Sequence, residues 1–393
     1  MADMSVLPPA DSRASRNGAR SSGRLLRQLE RPGDAVRHFG PNWFTSVMGT
    51  AIVGVAATKL PLVAEGLTVP ATVVWLAALV LLVIVLCLTA AHWLRFPQHA
   101  RAELVHPIMA NFVGAVSMAF TAVAAGFLPL GSALIGDAAA SALAWACWLT
   151  GTAIGIGSAI FVPIMLFVRH SHDENAAFMG WLMPIVPPMV SSAVGIGLVD
   201  TLSSLEAQRT LLVVCAMLFG TTIIPALIVI GLVWQRLLRF GVGPAHRVPM
   251  LAIALGPLGQ SATSAIALGT AAEGLVSPTL AAPLHALALA YAAAILGFAT
   301  LWFTIVTILV ARQARIGLPF SLAWWSFTFP VGTCVTGFAA LAHETGLLVV
   351  TVAALATYAV LVIAWLTVAS RTFYGAVVTG ELFLPPEPGR TAR

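Results

Sequence analysis

Long apolar segments alternate with short polar connections along most of this chain. Ten of them have the roughly 20 residues that a helix needs to cross the hydrocarbon core of a bilayer. We predict helices at residues 42–60, 69–93, 107–128, 138–168, 178–199, 210–236, 248–272, 279–311, 319–342 and 346–370. The pattern therefore predicts an all-α protein that crosses a lipid bilayer ten times.

The odd-numbered predicted helices recur at a regular interval. They begin near residues 42, 107, 178, 248 and 319, about 65 to 71 residues apart, which is typical of a repeated structural unit. A proline lies near the start of each one: Pro41, Pro107, Pro184, Pro249 and Pro319. The spacing predicts five helical hairpins of similar length.

Charged residues avoid the interiors of the ten segments. They make up only 9% of the 393 residues, whereas a soluble domain carries about 25%. All 20 basic and 15 acidic residues lie in connections, in the tails or in the last turn of a segment. A charge inside a bilayer is costly and usually marks a proton relay, a cation site or a voltage sensor. The sequence therefore favours a ligand handled by backbone dipoles, hydroxyls and aromatic rings.

Basic residues are strongly asymmetric between the two sides. Only Lys59 and Arg209 of the 20 fall on the side opposite the termini. By the positive-inside rule, both termini are cytoplasmic, and we expect a multi-pass protein of the plasma (inner) membrane.

We assign residues 1–37 to an Arg-rich tail, 38–372 to a transport domain and 373–393 to a C-terminal tail. Topology explains the net charge of +5, so we predict no nucleic-acid partner.

Polar and helix-breaking residues recur in the odd-numbered segments. Residues 256–264 combine two glycines, a proline and four side chains that form hydrogen bonds. Such a broken helix can direct N–H groups at an anion, and the alternative is a close helix contact through small residues. We favour a pore lined by bent odd helices over simple packing kinks. The pore-lining candidates are Thr45, Thr50, Asn111, Ser117, Ser191, Ser192, Pro188, Gly256, Pro257, Gly259, Gln260, Ser261, Thr263, Thr328, Pro330 and Thr333.

Phe329 immediately precedes Pro330 in the ninth segment. A side chain at such a bend can project into a narrow conduit, where an aromatic ring would block passage by sterics and dewetting. The alternative is a phenylalanine that packs between helices or faces lipid. The residues alone leave both interpretations open.

Histidine, cysteine and acidic residues form no constellation typical of a metal centre or an enzyme. The loop cluster of His170, His172, Asp173 and Glu174 is typical of a solvated connection, and we expect His285 to be buried and hydrogen-bonded. The four cysteines fall in apolar segments, as small core residues do. We predict no metal, no cofactor and no enzymatic activity.

Two motifs resemble a known family. Residues 39–50, FGPNWFTSVMGT, resemble the opening signature of the tellurite-resistance/dicarboxylate transporter family, and residues 324–330, WWSFTFP, resemble its ninth helix. That family includes plant slow anion channels, bacterial tellurite-resistance protein A, fungal malate permeases and sulfite efflux pumps. The resemblance extends over about residues 38–372, and GPLGQ at 256–260 is most similar to the sulfite-pump and malate-permease branch.

The resemblance implies a fold and a function. The fold is ten transmembrane helices as five hairpins, in a quasi-fivefold arrangement around a central pore, with a homotrimer as the assembly. The odd helices line the pore, and Phe329 is similar by position to the family's gating phenylalanine. The implied function is transport of a small anion, either a C4-dicarboxylate such as malate or a sulfite-like oxyanion.

Two other hypotheses stay open. A ten-span metabolite exporter would have inverted repeats, although five similar hairpins argue against that arrangement. A membrane enzyme or stress protein would need acids, histidines or thiols to converge at a membrane face, and in the sequence only the cluster at 170–174 does so. The sequence does not separate a channel from a proton-coupled carrier, or malate from sulfite, chloride or nitrate.

Overall fold

The computed structural model describes residues 25–29, 33–169 and 173–384. Residues 1–24, 30–32 and 385–393 of the predicted tails lie outside this range, as do His170 and His172 of the loop cluster. Ten main helices make up the described fold, and these parts of the chain contain no β-strand. The helices are α1 (Phe44–Ala57), α2 (Ala64–Arg95), α3 (Val113–Gly126), α4 (Asp137–Arg169), α5 (Pro187–Ile196), α6 (Leu205–Phe240), α7 (Leu255–Leu275), α8 (Pro278–Ile316), α9 (Phe329–Thr345) and α10 (Leu348–Phe373).

Shorter elements join or extend these helices. Three short α-helices lie at Asp34–Arg37, Pro97–Val105 and Ser132–Ile135, and π-helical turns follow α3 and α10 at Phe127–Gly131 and Tyr374–Thr379. Two short 3₁₀ turns lie at Val199–Thr201 and Glu381–Phe383. With these extensions, eight stretches of the described chain are long and apolar enough to cross a membrane. They are Ala64–Arg95, Met109–Ile135, Asp137–Arg169, Leu205–Phe240, Ala245–Leu275, Pro278–Ile316, Leu322–Thr345 and Leu348–Thr379.

The first and fifth predicted segments contain the short helices α1 and α5. These have 14 and 10 residues, fewer than the roughly 20 of a full α-helical crossing. The fifth segment is shortened because 3₁₀ and turn structure precede the Pro187-Pro188 pair, which begins α5. The all-helical, multi-pass fold is thus confirmed, while ten crossings stay a prediction.

Each odd-numbered helix is preceded by a 3₁₀ segment. A proline inside or close to that segment has no N–H and a fixed φ, which favours tight local turns over a regular α-helix. This start occurs five times along the chain, matching the regular spacing of prolines in the sequence. The segments are Pro41–Trp43, Met109–Phe112, Met179–Leu182, Ala245–Ala254 and Leu322–Phe327.

Burial separates the odd helices from the even ones. In the most apolar stretches containing α7 and α9, 78% of the residues are buried, against 17% to 39% for the five even-numbered helices. All residues of α1 are buried. The even helices expose Leu, Val, Ile and Phe side chains instead, as a lipid-facing surface does. The odd helices therefore form the interior of the protein.

The odd helices contact one another in chain order. Helix α1 contacts α3, α3 contacts α5, α5 contacts α7, α7 contacts α9, and α9 contacts α1 again. Each even helix packs against the odd helix before it. The interior helices thus form a closed series of contacts, and each even-numbered helix packs against one member of that series.

Tryptophan indoles connect the two layers of helices. On α2, α4, α8 and α10 a tryptophan N–H donates to a group of an interior segment, which satisfies a donor that would otherwise be unpaired in an apolar environment. The bonds run from Trp75 to the Val123 carbonyl (3.0 Å), from Trp148 to the Ser191 carbonyl (2.8 Å), from Trp302 to the Leu251 carbonyl (2.9 Å) and from Trp365 to Thr50 Oγ1 (3.2 Å).

Gly259 allows α7 and α9 to approach closely. A Cβ atom at Gly259 would overlap the backbone of Thr333 and Cys334. This is the small-residue helix contact that the sequence offered as one interpretation of residues 256–264. Because backbone rather than a flexible side chain fills the space, the neighbour cannot give way without moving the helix.

Gly259→Ala is expected to lower the free energy of unfolding by about 1–3 kcal/mol, the usual cost of overpacking a close contact. Thermal unfolding of the purified protein in detergent measures the effect. The matched control is Gly274→Ala in the same helix, where a Cβ would meet no atom within 4 Å. Equal melting temperatures for the two variants would contradict the assignment.

Candidate functional site

A cavity of about 1070 Å³ lies among the odd-numbered helices, all five of which contribute to its wall. At roughly 30 Å³ per water molecule, it has room for on the order of 35 waters. A hydrated ion can therefore be accommodated without losing all of its water. The size and the mixed polar and apolar wall are typical of a vestibule.

The floor of the cavity contains one residue from each interior helix. Counted from the arginine-rich side, the first wall residues are Ile52, Ala122, Val190, Gln260 and Phe329. No residue closer to the arginine-rich side in these five helices lines the cavity. The cavity is therefore closed at this level, by four apolar side chains and one carboxamide.

Phe329 is held at the floor by the break between two helical segments. The 3₁₀ segment ends at Phe327, and Thr328 adopts φ −102° and ψ −76° before α9 begins. Thr328 Oγ1 donates to the Trp325 carbonyl at 2.8 Å, which fixes the break. The Phe329 side chain is 2% exposed. Its ring contributes to the closed end of the cavity.

Gln260, Thr263 and Thr336 place neutral hydrogen-bonding groups on one side of the wall. The hydroxyls of Thr263 on α7 and Thr336 on α9 are 2.8 Å apart. Gln260 is 5% exposed, and its carboxamide has no hydrogen-bond partner among the residues that the structure describes. Its N–H groups are therefore available to an anion at the floor.

The mouth of the cavity carries charges of both signs. Lys59, Asp200 and Glu344 line it, and His343 Nε2 lies 3.0 Å from the Lys59 carbonyl. The Lys59 side chain is exposed to the cavity, but protein atoms surround much of it. This partial removal from water disfavours the charged form and lowers the pKa of Lys59 from its usual value. From Phe329 to Glu344, α9 rises about 22 Å, which is the approximate depth of the vestibule.

A second polar cluster lies beside the mouth. His285 Nδ1 is 3.0 Å from Glu273 and Nε2 is 3.3 Å from Glu344, while Thr270 donates to Glu344 at 2.9 Å. The His285 side chain is 17% exposed and lies between the two carboxylates. The expectation that only residues 170–174 bring acids and histidine together was wrong, because α7 and α9 extend beyond the predicted ends and carry Glu273 and Glu344 in their last turns.

The other sequence candidates are buried or nearly so, and they lie outside the wall of this cavity. Ser117 donates to the Gly151 carbonyl at 2.6 Å, and Ser192 donates to the Cys215 carbonyl at 2.7 Å, so both connect neighbouring helices. Two polar atoms, Asn111 Oδ1 and Ser191 Oγ, are buried without a partner among the described residues. The remaining candidates outside the wall are Thr45, Thr50, Pro188, Gly256, Pro257, Gly259, Ser261, Thr328, Pro330 and Thr333.

Several residues of the cavity wall are not among the candidates from the sequence, although the helical period would have identified them. Thr336 and His343 follow Phe329 by seven and fourteen residues, so all three share one face of α9. On α7, Ala267 and Gly274 likewise follow Gln260 by seven and fourteen residues, which is two and four turns. The helical period starting from the motif phenylalanine therefore identifies the wall better than residue type does.

Glu103 lies on the arginine-rich side, in the short helix Pro97–Val105. Its carboxylate is 3.7 Å from Nε2 of His92, whose Nδ1 lies 2.8 Å from the Val36 carbonyl. These contacts join the short helices Asp34–Arg37 and Pro97–Val105 to the end of α2. Burial raises the pKa of the Glu103 carboxyl to about 7.

Glu103→Gln is expected to stabilise the protein above neutral pH. The native carboxyl keeps its proton up to about pH 7, whereas the unfolded chain releases it at its usual lower pKa, so the free energy of unfolding falls as pH rises through that window. Glutamine does not ionise, so the variant avoids the cost of a buried negative charge. The melting temperature of Glu103→Gln should exceed that of the wild type by on the order of 2 °C at pH 8 but not at pH 5. Glu65→Gln, at an exposed position, is the control; a pH-independent difference would argue against the assignment.

An apolar outer layer, an interior series of helix contacts and a vestibule large enough for water and ions define a membrane channel or transporter. Comparison with known families gives the particular group. Residues 38–373 match the family model described as Voltage-dependent anion channel, SLAC1, and the chain belongs to that family. This confirms the resemblance based on residues 39–50 and 324–330. The protein is thus an anion transporter of this family and not an enzyme.

Curated relatives cover nearly the whole chain. A sulfite efflux pump of Arthroderma otae is 27% identical over 357 residues, covering 89% of this chain and 93% of the relative. A sulfite efflux pump of Trichophyton rubrum is 26% identical over 316 residues, covering 79% and 83%. An uncharacterised transporter of Methanocaldococcus jannaschii is 23% identical over 355 residues, covering 88% and 97%. The family match at residues 38–373 includes the residues of the vestibule and its floor.

Proposed function

We propose that this protein moves sulfite or bisulfite across the plasma (inner) membrane through a pore within one protomer, closed at rest by Phe329. The observation that carries the proposal is the floor of the vestibule, where each interior helix places one residue and Phe329 is the aromatic one. A ring in a narrow apolar constriction blocks an ion both by its bulk and by excluding water. Rotation of this one side chain then opens the path.

The proposed architecture is ten crossings in a quasi-fivefold ring. The closed series of contacts from α1 through α9 and back to α1 supports it, as does the 3₁₀ segment that begins each odd-numbered segment. In this arrangement the short helices α1 and α5 complete their crossings with the non-α segments before them. A homotrimer, as the family resemblance implies, would pack through the apolar faces of even helices.

Sulfite is favoured as the substrate for two reasons. Three curated relatives, each matching 79% or more of this chain, carry the name sulfite efflux pump. The floor offers a neutral donor, the Gln260 carboxamide, which suits a small oxyanion held weakly. No Lys or Arg lines the floor, so binding is loose and passage is fast.

The distribution of charge supports outward conduction. Apart from Lys59 and Arg209, the basic residues lie on the side that the positive-inside rule places in the cytoplasm, where they raise the local concentration of anions. The opposite mouth carries the carboxylates Asp200 and Glu344 against the cation Lys59, so it attracts anions less. Both termini are cytoplasmic in this arrangement, and the gradient of the anion sets the direction of net flux.

Substrate identity is tested in liposomes that contain the purified protein and are loaded with sulfite, malate or chloride. Efflux is followed at equal concentration and with a fixed membrane potential. We expect sulfite to leave faster than malate, because the longer dicarboxylate must pass the same narrow floor. Malate efflux equal to or faster than sulfite efflux would contradict the assignment, as would sulfite efflux no faster than from protein-free liposomes.

A further inference from the structure

A second cavity, of about 300 Å³, lies at the arginine-rich end of α6, away from the vestibule. Its wall combines the last turns of α6 with the connection that follows α4. The lining residues are Glu174, Ala177, Leu232, Gln235, Arg236, Arg239 and Phe240. None of them lines the vestibule.

Arg236 is a buried cation without a counterion in the described structure. Its side chain is 7% exposed, and no carboxylate of a described residue lies within 4.0 Å of it. Nη2 donates to the carbonyls of Gly241 (3.2 Å) and Val242 (3.0 Å), while the buried Nε has no partner. Burying an unpaired charge and an unpaired donor is costly, so the arrangement indicates a missing anionic partner.

The guanidinium is held in place by the turn after α6. Gly241 and Gly243 have φ of 72° and 80°, which lets the chain fold back over Arg236. A Cβ at Gly243 would lie 3.2 Å from Nη1 of Arg236. The backbone thus fixes the cation in a defined orientation, which lowers the entropy lost when a ligand binds.

The wall residues of α6 form one stripe along the helix. Leu232, Arg236, Arg239 and Phe240 are spaced by four, three and one residues, so they share a face. Arg239 is exposed and adds a second positive charge, while Leu232 and Phe240 expose 43% and 47% of their surface. Cations at the end of a crossing helix, next to exposed apolar side chains, match the head and the chains of an anionic lipid.

We propose that this cavity binds the phosphate group of an anionic phospholipid. Arg236 Nη1, which has no hydrogen-bond partner among the described residues, and the Arg239 guanidinium contact the phosphate oxygens, while Leu232 and Phe240 contact the acyl chains. Glu174, an exposed carboxylate at the rim, opposes the anion and weakens the site. The inference is independent of which anion the vestibule transports. Free phosphate shares the head-group chemistry and is separated from the lipid by the experiment.

Native mass spectrometry of the full-length protein in detergent tests the site, with phosphatidylglycerol and phosphatidylcholine added at equal concentration. We expect the wild type to retain phosphatidylglycerol in preference to phosphatidylcholine. Arg236→Gln and Arg239→Gln should each lower that retention about tenfold, as expected for loss of a charge-assisted contact. Arg239 is exposed, so its variant keeps the test valid if Arg236→Gln does not fold. Glu174→Gln should raise retention.

The matched control is Arg315→Gln, an exposed arginine in the last turn of α8 outside this cavity, which should leave retention unchanged. Equal retention by the wild type and the Arg239→Gln variant would overturn the proposal, as would an equal loss in Arg315→Gln. Displacement of phosphatidylglycerol by millimolar inorganic phosphate would overturn the lipid assignment and identify a free-phosphate site.

Discussion

Phe329→Ala is expected to increase anion flux through the reconstituted protein by at least about tenfold, equivalent to a barrier lower by about 1.4 kcal/mol. The ring lies at the level where the vestibule closes, and it is the largest of the five floor side chains. Alanine removes the ring, which widens the constriction and lets water occupy it. The measurement is sulfite efflux from liposomes of equal protein content.

Phe338→Ala is the matched control for this experiment. Phe338 lies on the same helix, α9, and does not line the vestibule. Its truncation leaves a void elsewhere and should not raise flux. Unchanged flux in Phe329→Ala, in a protein whose melting temperature shows that it is folded, would exclude Phe329 as the gate.

Gln260→Leu is expected to lower sulfite flux about tenfold, because it removes the one polar side chain among the five floor residues. Leucine has a similar volume, so the change acts on hydrogen bonding and wetting rather than on width. A floor of five apolar side chains would expel water and offer no donor to the passing anion.

Ser261→Ala is the control for Gln260→Leu. Ser261 is adjacent but buried, and its hydroxyl donates to the Leu258 carbonyl of its own helix at 3.0 Å. It should conduct like the wild type. Flux in Gln260→Leu that equals or exceeds the wild-type flux would show that the carboxamide does not help the anion cross.

The helices could be predicted because a bilayer leaves the backbone few alternatives. Eight of the ten apolar segments in the sequence correspond to helical stretches long enough to span a membrane. The apolar segments did not show that α1 and α5 are short, because hydropathy counts apolar residues and does not report whether they are α-helical. Proline fixes where the 3₁₀ segments form, yet the length of each segment depends on packing against neighbouring helices.

The site was harder to predict than the helices. Phe329 was found because a motif and a neighbouring proline marked it, and Gln260 and Thr263 because they lie in an unusual polar stretch. Ser117 and Ser192 have the same hydroxyl chemistry as Thr263, but they bond to carbonyls of adjacent helices. Whether a hydroxyl donates to a carbonyl or lines a cavity depends on which helix lies opposite it. The residue type does not determine that.

The charges near the mouth show a second limit. The predicted ends of α7 and α9 leave Glu273 and Glu344 in connections. In the structure both helices continue for three more residues, and this brings both acids to His285. Boundaries are uncertain because the last turn of a helix is stabilised by its contacts as well as by its sequence. A shift of one turn was enough to conceal the cluster.

The central claim is that an anion crosses this protein passively, through a pore that holds it weakly with neutral groups. The most direct test is sulfite efflux from liposomes in which membrane potential and pH gradient are set independently. The account predicts that flux follows the membrane potential when the pH gradient is zero. Flux that requires a pH gradient and does not respond to potential would contradict it.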